Sequence, residues 1–425
     1  MGFEAYELAT TLWGINRSIT GDGVRQTLNI LKDIIPKLRI IEVPTGTKAY
    51  DWVVPREWNV SQAYILNPEG ERICDLSENN LHLMGYSIPI NAKMPLSELQ
   101  NHLFSRPDFP DAIPYVTSYY EENWGFCLSE NQRKNLADGI YEVVIESSLS
   151  DGSMTYGEII LPGYSEQEIF LSTYICHPSM ANNELSGPCV LAKIVEWLST
   201  LTDSKYTYRI IFIPETIGAI YYISQYLDIM KNKMVAGFNV TCIGDERDYS
   251  YVSTRTGNTI VDEITNHVFS KISKTHTKYD WLKRGSDERQ YCAPGVDLPV
   301  ATICRSKFHE FPEYHTSLDT LGDVVTPKGL SGGLELLKRC IEATTLISYP
   351  SASVLCEPQL SKRNLYPTIS KGAKPQSTQM IKNILSLSDG KTSTLEMAVR
   401  LNCPIWDLRN SLDTLLEYNL IRIDI

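Results

Sequence analysis

The sequence has few cysteines, and no two of them lie at the spacing of a metal or redox motif. Ten cysteines occur in 425 residues without a Cys-x-x-Cys pair, which argues against a disulfide framework and against a thiolate zinc site. Cys242 and Cys304 lie in apolar strings, where a reduced cysteine acts as a small core residue. We therefore expect free thiols and a cytoplasmic protein.

Long apolar runs and an excess of positive charge are also missing. No stretch approaches the ~18 apolar residues of a membrane span, and the N-terminal segment has neither the basic start nor the apolar stretch of a signal peptide. The 39 Lys+Arg against 51 Asp+Glu give a net charge of −12, which disfavours chain-wide binding to nucleic acid or anionic membranes. The length suits about two to four globular domains.

Within the first 124 residues, the spacing of apolar residues changes near residue 40. Apolar spacing predicts two helices, from Tyr6 to Ile15 and from Val24 to Ile35, before Pro36. Residues 41–124 instead show short apolar–polar alternations broken by Pro, Gly and Asn, which predict an inserted β-rich module.

From about residue 125 the pattern alternates between strand and helix. Strands are predicted at Ile169–Ile175, Tyr208–Ile213, Val235–Cys242 and Pro299–Cys304, and helices at Pro188–Leu198, Gly218–Met230, Val261–Ser273 and from Thr326 onward. Such alternation predicts an α/β domain over 1–40 and 125–350, with a mostly parallel twisted sheet covered by helices. Ligands of such sheets bind at the carboxyl ends of the strands.

The C-terminal part predicts a separate winged helix over 376–425. A connection over Tyr349–Pro375 precedes helices near Ile381–Leu385, Leu395–Leu401 and Ile405–Tyr418 and a terminal strand at Leu420–Ile425. This segment has five basic and six acidic residues, and phosphate binding needs a positive face. We expect it to pack on a domain or bind a partner rather than to bind DNA.

Polar residues follow the predicted strand ends, and we expect them to converge on one cleft. They include His177, Glu215, Asp245, the run Ser286–Arg289 and the string His315–Asp319. Two imidazoles with carboxylates suit a divalent metal, zinc above all, with one carboxylate left to move a proton. Each residue also has an ordinary structural explanation, since loop histidines often only donate hydrogen bonds and Glu215 could be a helix N-terminal charge.

The order of these strings resembles the zinc aminopeptidases of peptidase clan MH over residues 139–349. The whole chain looks like bacterial aminopeptidase-like proteins that add an inserted β-rich module and a C-terminal winged helix, often associated with surface-polysaccharide genes. The resemblance implies a zinc-exopeptidase-like fold, His177 and His315 as metal ligands, and Glu215 as general base. It also places three ligand carboxylates of the family at Asn183, Thr216 and Thr241, none of which is acidic.

These departures favour one divalent metal over two, because an amide is a weak neutral ligand. We expect His177 and His315 to bind it together with Asn183 or Glu215. A cleft without any metal is the alternative. Three other acids, Asp245, Asp287 and Glu288, are candidates for a replacement carboxylate. The resemblance further suggests Asp287 or Glu288 for a substrate amino group and Arg289 for a carboxylate, with Asp245 beside them. Asp319 either orients His315 or caps the following turn.

The functional prediction is a metal-dependent peptidase or amidohydrolase acting on a peptide or amino-acyl small molecule. One alternative is a catalytically lapsed relative that binds a peptide, amino sugar or partner protein. Another is an amide hydrolase for acylated amino sugars. The prediction includes no nucleic-acid or membrane partner and leaves a homo-oligomer open.

Overall fold

The computed structural model describes residues 1–365 and 376–423. Its α-helices are α1 (Gly2–Leu12), α2 (Asp22–Ile34), α3 (Leu96–Leu99), α4 (Glu130–Lys134), α5 (Ser186–Ser199), α6 (Ile217–Lys233), α7 (Ile260–Ile272), α8 (Glu288–Tyr291), α9 (Pro327–Leu346), α10 (Gln376–Leu387), α11 (Thr394–Arg400) and α12 (Arg409–Glu417). Short 3-10 turns occupy Asn80–His82, Gln100–His102, Trp281–Lys283, Ser361–Arg363 and Ile405–Leu408, and a π-turn occupies Ala181–Leu185.

The longer strands form two sheets. The strands are β1 (Arg39–Pro44), β2 (Lys48–Ala49), β3 (Trp52–Val53), β4 (Glu57–Leu66), β5 (Arg72–Ile73), β6 (Ile90–Pro95), β7 (Leu103–Phe104), β8 (Phe126–Cys127), β9 (Ile140–Ser150), β10 (Ser153–Leu161), β11 (Glu168–Tyr174), β12 (Thr207–Ile213), β13 (Met234–Val240), β14 (Ser250–Val252), β15 (Thr277–Tyr279), β16 (Val300–Cys304), β17 (Ser351–Ala352) and β18 (Ile421–Arg422). The chain divides into two compact units, of which the larger comprises residues 1–259 and 277–335.

The larger unit is built on an eight-stranded sheet in the order β1-β10-β12-β11-β13-β16-β14-β15. Its four central strands, β12, β11, β13 and β16, run parallel. All seven residues of β11 are buried, as expected of an inner strand covered on both faces. Helices α2, α5 and α6 pack on β10, β11 and β13 respectively. The predicted α/β class is therefore confirmed. The predicted elements of this unit match the observed ones with ends within three residues, except that the first helix begins at Gly2, four residues before the predicted Tyr6.

The parallel arrangement brings four strand ends to one edge of the sheet. The chain leaves β11 toward His177, β12 toward Glu215, β13 toward Thr241 and β16 toward Arg305. This edge is where parallel sheets bind ligands. The candidate site is built here.

The small sheet extends beyond the predicted module of 41–124. Its order is β5-β4-β9-β6, so β9, at Ile140–Ser150, is one of its two inner strands. After β9 the chain turns at once into β10 of the large sheet, and β1 pairs antiparallel with β10. The two sheets therefore share one continuous stretch of chain, which the alternation before residue 124 did not reveal.

The second unit comprises residues 260–276 and the described residues from 336 onward. Helix α11 begins with a capping box in which Ser393 and Glu396 satisfy each other's backbone N–H groups, and β17 pairs with β18. The predicted third helix starts as a 3-10 turn before α12, and the Nε2 of His267 accepts the backbone N–H of Ile405 at 3.0 Å. These elements confirm a winged helix. Residues 366–375 of the predicted connection and residues 424–425 of the predicted terminal strand lie outside the described residues.

None of the helices in the described part of the chain has the length and apolarity that a membrane crossing requires.

Candidate functional site

A cavity of about 380 Å³ opens at the carboxyl edge of the large sheet. Its wall combines four of the predicted site residues with aromatic side chains from the inserted module. The lining residues are Ile19, Trp52, Tyr115, Thr117, Tyr119, Tyr120, Cys176, His177, Glu215, Thr216, Ile217, Arg289 and His315. The structure thus brings His177, Glu215, His315 and Arg289 together, as the strand-end argument predicts.

His177 lies in the loop after β11, and a contact with Glu184 fixes the Nδ1 edge of its ring. Its Nδ1 lies 3.1 Å from Glu184 Oε2, and the same oxygen accepts the His177 backbone N–H at 3.0 Å. An Nδ1–H donated to a carboxylate leaves Nε2 as the free lone pair. That Nε2 lies 3.7 Å from Glu215 Oε2, so it faces the only carboxylate among the described residues that line the cavity.

Arg17, from the loop after α1, contacts both the His177 backbone and the Glu184 carboxylate. Its Nε donates to the His177 carbonyl at 3.0 Å and lies 3.4 Å from Glu184 Oε1, and both charged side chains are fully buried. Its Nη1 donates to the carbonyl of Leu12 at 2.8 Å. Carboxylate partners of a metal-binding histidine fix its tautomer and orientation. Arg17 and Glu184 together hold the His177 backbone and ring.

Glu215 sits on a strained turn between β12 and α6. Thr216 has φ 65° and ψ −80°, and the Ile217 N–H donates to the Glu215 carbonyl at 2.9 Å, which defines a γ-turn. The Thr216 N–H donates to Asp287 Oδ1 at 2.8 Å and the Glu215 N–H to Cys176 Sγ at 3.2 Å. Strained backbone of this kind clusters at functional sites.

Relieving this strain is expected to stabilise the protein. Because a β-branched residue at positive φ costs roughly 1–3 kcal/mol, Thr216→Gly should raise the free energy of unfolding by about 1 kcal/mol relative to Thr216→Ala. Both variants lose the Thr216 hydroxyl, so their difference isolates the backbone term. Urea unfolding of the two proteins measures it, and equal midpoints would show that the turn stores no strain.

His315 lies where the inserted module meets the large sheet. The Tyr115 N–H donates to the His315 carbonyl at 3.0 Å. The Tyr115 ring packs edge-on against both imidazoles, with centroid distances of 5.2 Å to His177 and 5.1 Å to His315. Tyr314 stacks on His315 at 3.9 Å. The two imidazole centroids are 5.6 Å apart. Through Tyr115, the inserted module positions His315, one of the two predicted ligands.

Burial and neighbouring charges shift the pKa values of Glu215, His315 and His177 in different ways. It raises the pKa of Glu215, against the opposing charges of His177 and Arg289, and it holds the pKa of His315 well below its usual value. Hydrogen bonding and charge from Glu184 raise the pKa of His177 despite its burial. A buried carboxylate of raised pKa suits a group that accepts and returns a proton.

A closed neutral cluster occupies the position of the family's bridging acid. The Tyr174 hydroxyl donates to the Asn183 carbonyl and lies 3.0 Å from Asn183 Oδ1, and it contacts Thr241 Oγ1 at 2.5 Å. The Nδ2 of Asn183 is buried without a hydrogen-bond partner among the described residues. The Asn183 amide oxygen thus already lies within hydrogen-bond distance of a hydroxyl, and its role as a metal ligand stays a prediction.

Asn183→Asp is therefore expected to destabilise the protein without creating a second metal site. A carboxyl buried without a cationic partner has a raised pKa in the folded state, so stability should fall as pH rises through that value, by about 2–4 kcal/mol at pH 8. Denaturant unfolding at pH 5 and pH 8 measures the difference, and exposed Asn135→Asp is the control. A second bound metal with increased hydrolysis would contradict this and indicate a lapsed two-metal site.

The predicted acidic residues of the later loops are turned into the protein interior. Asp287 Oδ1 accepts from the Thr216 N–H. Glu288 accepts the N–H groups of Gly285 and Ser286 and the hydroxyl of Thr302. Neither residue lines the cavity, so neither makes the predicted contact with a substrate amino group in this arrangement.

Asp245 and Asp319 have structural partners as well. Asp245 accepts from Asn182 Nδ2 and from the backbone and hydroxyl of Ser306. Asp319 accepts the N–H groups of Asn182 and Asn183 at 2.8 and 2.9 Å, and burial raises its pKa to about 7. Asp319 thus caps the π-turn at Ala181–Leu185, and the orientation of His315 by Asp319 stays a prediction. Asp245 is buried below the site.

Within the described residues, two groups of side chains have metal-binding chemistry. The donor atoms of Cys176, His177 and Glu184 lie within 4.8 Å of one another, but Glu184 already pairs with Arg17, and burial raises the Cys176 pKa well above its usual value. On the cavity side, His177, His315 and Glu215 have the residue types of a two-imidazole, one-carboxylate zinc site. Their chemistry suits one divalent ion, although their three donor atoms do not all lie within 4.8 Å of one another in this structure.

Sequence reasoning missed Arg17, Tyr115, Tyr119 and Glu184. Glu184 lies in the loop that carries His177, and an acid seven residues after a candidate ligand is a detectable signal. Arg17 contacts His177 across 160 positions, and the Tyr115 and Tyr119 hydroxyls, 2.6 Å apart, come from the inserted module. No local pattern marks these three.

Comparison with known proteins identifies the family of the chain and its fold. Residues 6–345 match the family model described as a domain of unknown function, DUF4910, and residues 348–423 match a winged helix-turn-helix model. A Clostridium acetobutylicum protein, named provisionally as a polysaccharide biosynthesis protein with an aminopeptidase-like domain, is 42% identical over 427 residues, which cover 99% of this chain and 96% of that protein.

Solved structures resemble the chain over its whole length or over its larger part. A structure from Clostridium acetobutylicum, named provisionally as a peptidase, superposes with a TM-score of 0.93 at 40% identity, covering 100% of this chain and 96% of that one. The zinc aminopeptidase BSAP of Bacillus subtilis gives a TM-score of 0.56 at 14% identity, covering 81% and 94%. The fold is thus that of the zinc aminopeptidases, and the chain belongs to the DUF4910 family, here followed by a C-terminal winged helix.

Proposed function

We propose that this protein is a metal-dependent amide hydrolase with a single divalent ion, most suitably zinc, held by His177 and His315. Glu215 is its general base. The proposed substrate is a peptide or other amino-acyl small molecule. The ten free cysteines agree with the cytoplasmic setting that we also propose.

One observation carries this proposal: His177 Nε2 and Glu215 Oε2 face each other at 3.7 Å in the cavity. The Nδ1 of His177 is tied to Glu184, so the ring cannot turn without breaking a buried interaction. The neutral cluster of Asn183, Tyr174 and Thr241 argues for one ion, because it offers no bridging carboxylate.

The bound ion would supply a Lewis acid for the scissile carbonyl and for water. Glu215, whose pKa burial raises, accepts a proton from the attacking water and returns it to the leaving amine. His177 stays oriented by Glu184 throughout. The edge-on Tyr115 ring covers both imidazoles and keeps bulk water from them.

Metal-dependent hydrolysis tests this function. The purified chain is stripped of metal, reloaded with zinc, cobalt or manganese, and assayed on free and N-acylated peptide amides. We expect activity to return with about one equivalent of metal, and His177→Asn and His315→Asn each to abolish tight binding. His276→Asn, outside the cavity lining, is the control. Hydrolysis that persists without metal would overturn the proposal.

A catalytically lapsed protein gives a different result in the same experiment. It would bind a cavity ligand in the absence of hydrolysis with every metal and every substrate. The Asn183, Thr216 and Thr241 positions are what favour this second function.

A further inference from the structure

The cavity holds one permanent cation, and its orientation is fixed. Arg289 Nε donates to the Ser286 carbonyl at 3.0 Å and Nη2 to Thr216 Oγ1 at 2.8 Å. Nη1 has no hydrogen-bond partner within the described residues. Arg289 is the only Lys or Arg among the described residues that form the cavity wall. A guanidinium fixed at two corners is preorganised to bind a carboxylate with the remaining donors.

Apart from Glu215, the described residues of the wall include no carboxylate that could bind a substrate's free amine. Asp287 and Glu288 point to backbone N–H groups in the interior, and Asp245 is enclosed by Asn182 and Ser306. The remaining acid, Glu215, faces His177. An ammonium group in this cavity would meet Arg289 and two imidazoles, a charge pattern that favours a negative ligand instead.

Aromatic rings from the inserted module form the outer wall. Trp52 and Tyr120 pack edge-to-face at 5.7 Å, and both remain substantially exposed, at 38% and 54%. Both line the cavity. Partly exposed aromatic rings of this kind bind the apolar part of a ligand while its polar groups reach deeper.

From these three observations we propose that the substrate is an anionic, N-acylated amide whose carboxylate binds Arg289 and whose apolar face rests on Trp52 and Tyr120. This assignment rests on the proposed hydrolase function and narrows its substrate class. In this assignment the Arg289 guanidinium, which donates to the Thr216 hydroxyl, lies beside a position where the family resemblance expects a metal-ligating glutamate. A peptide C-terminus and a sugar acid share the required carboxylate.

Calorimetric binding to the full, metal-loaded chain tests the assignment without requiring turnover. The peptide probes are N-acetyl-Ala-Ala with a free carboxylate, its C-terminal amide, and Ala-Ala-amide with a free amine. The sugar probes are N-acetylglucosaminuronate and N-acetylglucosamine. We expect the carboxylate member of at least one pair to bind 10-fold or more tightly than its neutral partner, and that pair identifies the source.

Arg289→Gln should remove this preference and Arg289→Lys should keep part of it, because lysine preserves the charge but not the fork. Arg284→Gln, an exposed arginine in the same segment that lies over Trp281, should leave it intact. Equal binding within both pairs, tightest binding of the free-amine probe, or no carboxylate binding at all would overturn the assignment. Carboxylate binding without hydrolysis of any amide would overturn only the hydrolase function.

Discussion

Glu215→Gln is expected to lower kcat for amide hydrolysis by at least about 10²-fold while leaving KM within a few-fold. General bases contribute roughly 10²–10⁴-fold to rate, and glutamine keeps the shape of the side chain without its proton affinity. The prediction depends on Glu215 being the only carboxylate that lines the cavity in the described part of the chain, which leaves no other lining acid there to replace it. Steady-state kinetics on the most active substrate measures the effect.

The matched control is Glu166→Gln, which removes a carboxylate that is 88% exposed and pairs with Lys233. We expect wild-type kcat and KM for it. If Glu215→Gln also retains wild-type kcat at full metal occupancy, Glu215 is not the base and the proposed mechanism is wrong.

Arg17→Leu is expected to destabilise the protein by about 3–5 kcal/mol, the typical cost of removing one partner of a buried ion pair. Glu184 would be left as an unpaired, fully buried carboxylate, and the carbonyls of His177 and Leu12 would each lose a donor. Denaturant unfolding measures the loss. Metal affinity should also fall, by about 10–100-fold, because Glu184 orients His177.

Two further variants separate this effect from a general loss of charge. Arg56→Leu removes an exposed arginine that pairs with Glu122 and should cost less than about 1 kcal/mol. Arg17→Leu with Glu184→Met removes both buried charges and should recover much of the lost stability, but not the metal affinity. A double variant with normal metal affinity would show that Glu184 does not orient His177.

The fold and the convergence of His177, Glu215 and His315 could be predicted from sequence because both follow from local signals. Apolar runs mark the strands, and parallel strands bring the residues after their carboxyl ends together. The boundary of the inserted module could not be predicted, since β9 alternates like the strands before it and belongs to the small sheet through long-range pairing.

The roles of individual acids were harder to predict than their location. Three acids follow strand ends as metal or substrate ligands would: Asp287, Glu288 and Asp319. Each instead accepts hydrogen bonds from backbone N–H groups. The loop conformation determines these contacts, and the residue types alone do not predict it. Asn183 was identified as a departure from the family pattern. Its contact with Tyr174 could not be predicted, because it depends on where the hydroxyl at the end of β11 lies relative to the Asn183 amide oxygen.

The central claim is a single metal ion on the cavity side of His177. Elemental analysis of the purified chain combined with anomalous scattering from its crystals measures both the number of ions and their place. We predict about one divalent ion per chain, within bonding distance of His177 Nε2 and of His315. Two ions at the site, or one ion on the Nδ1 side of His177 beside Cys176 and Glu184, would contradict it.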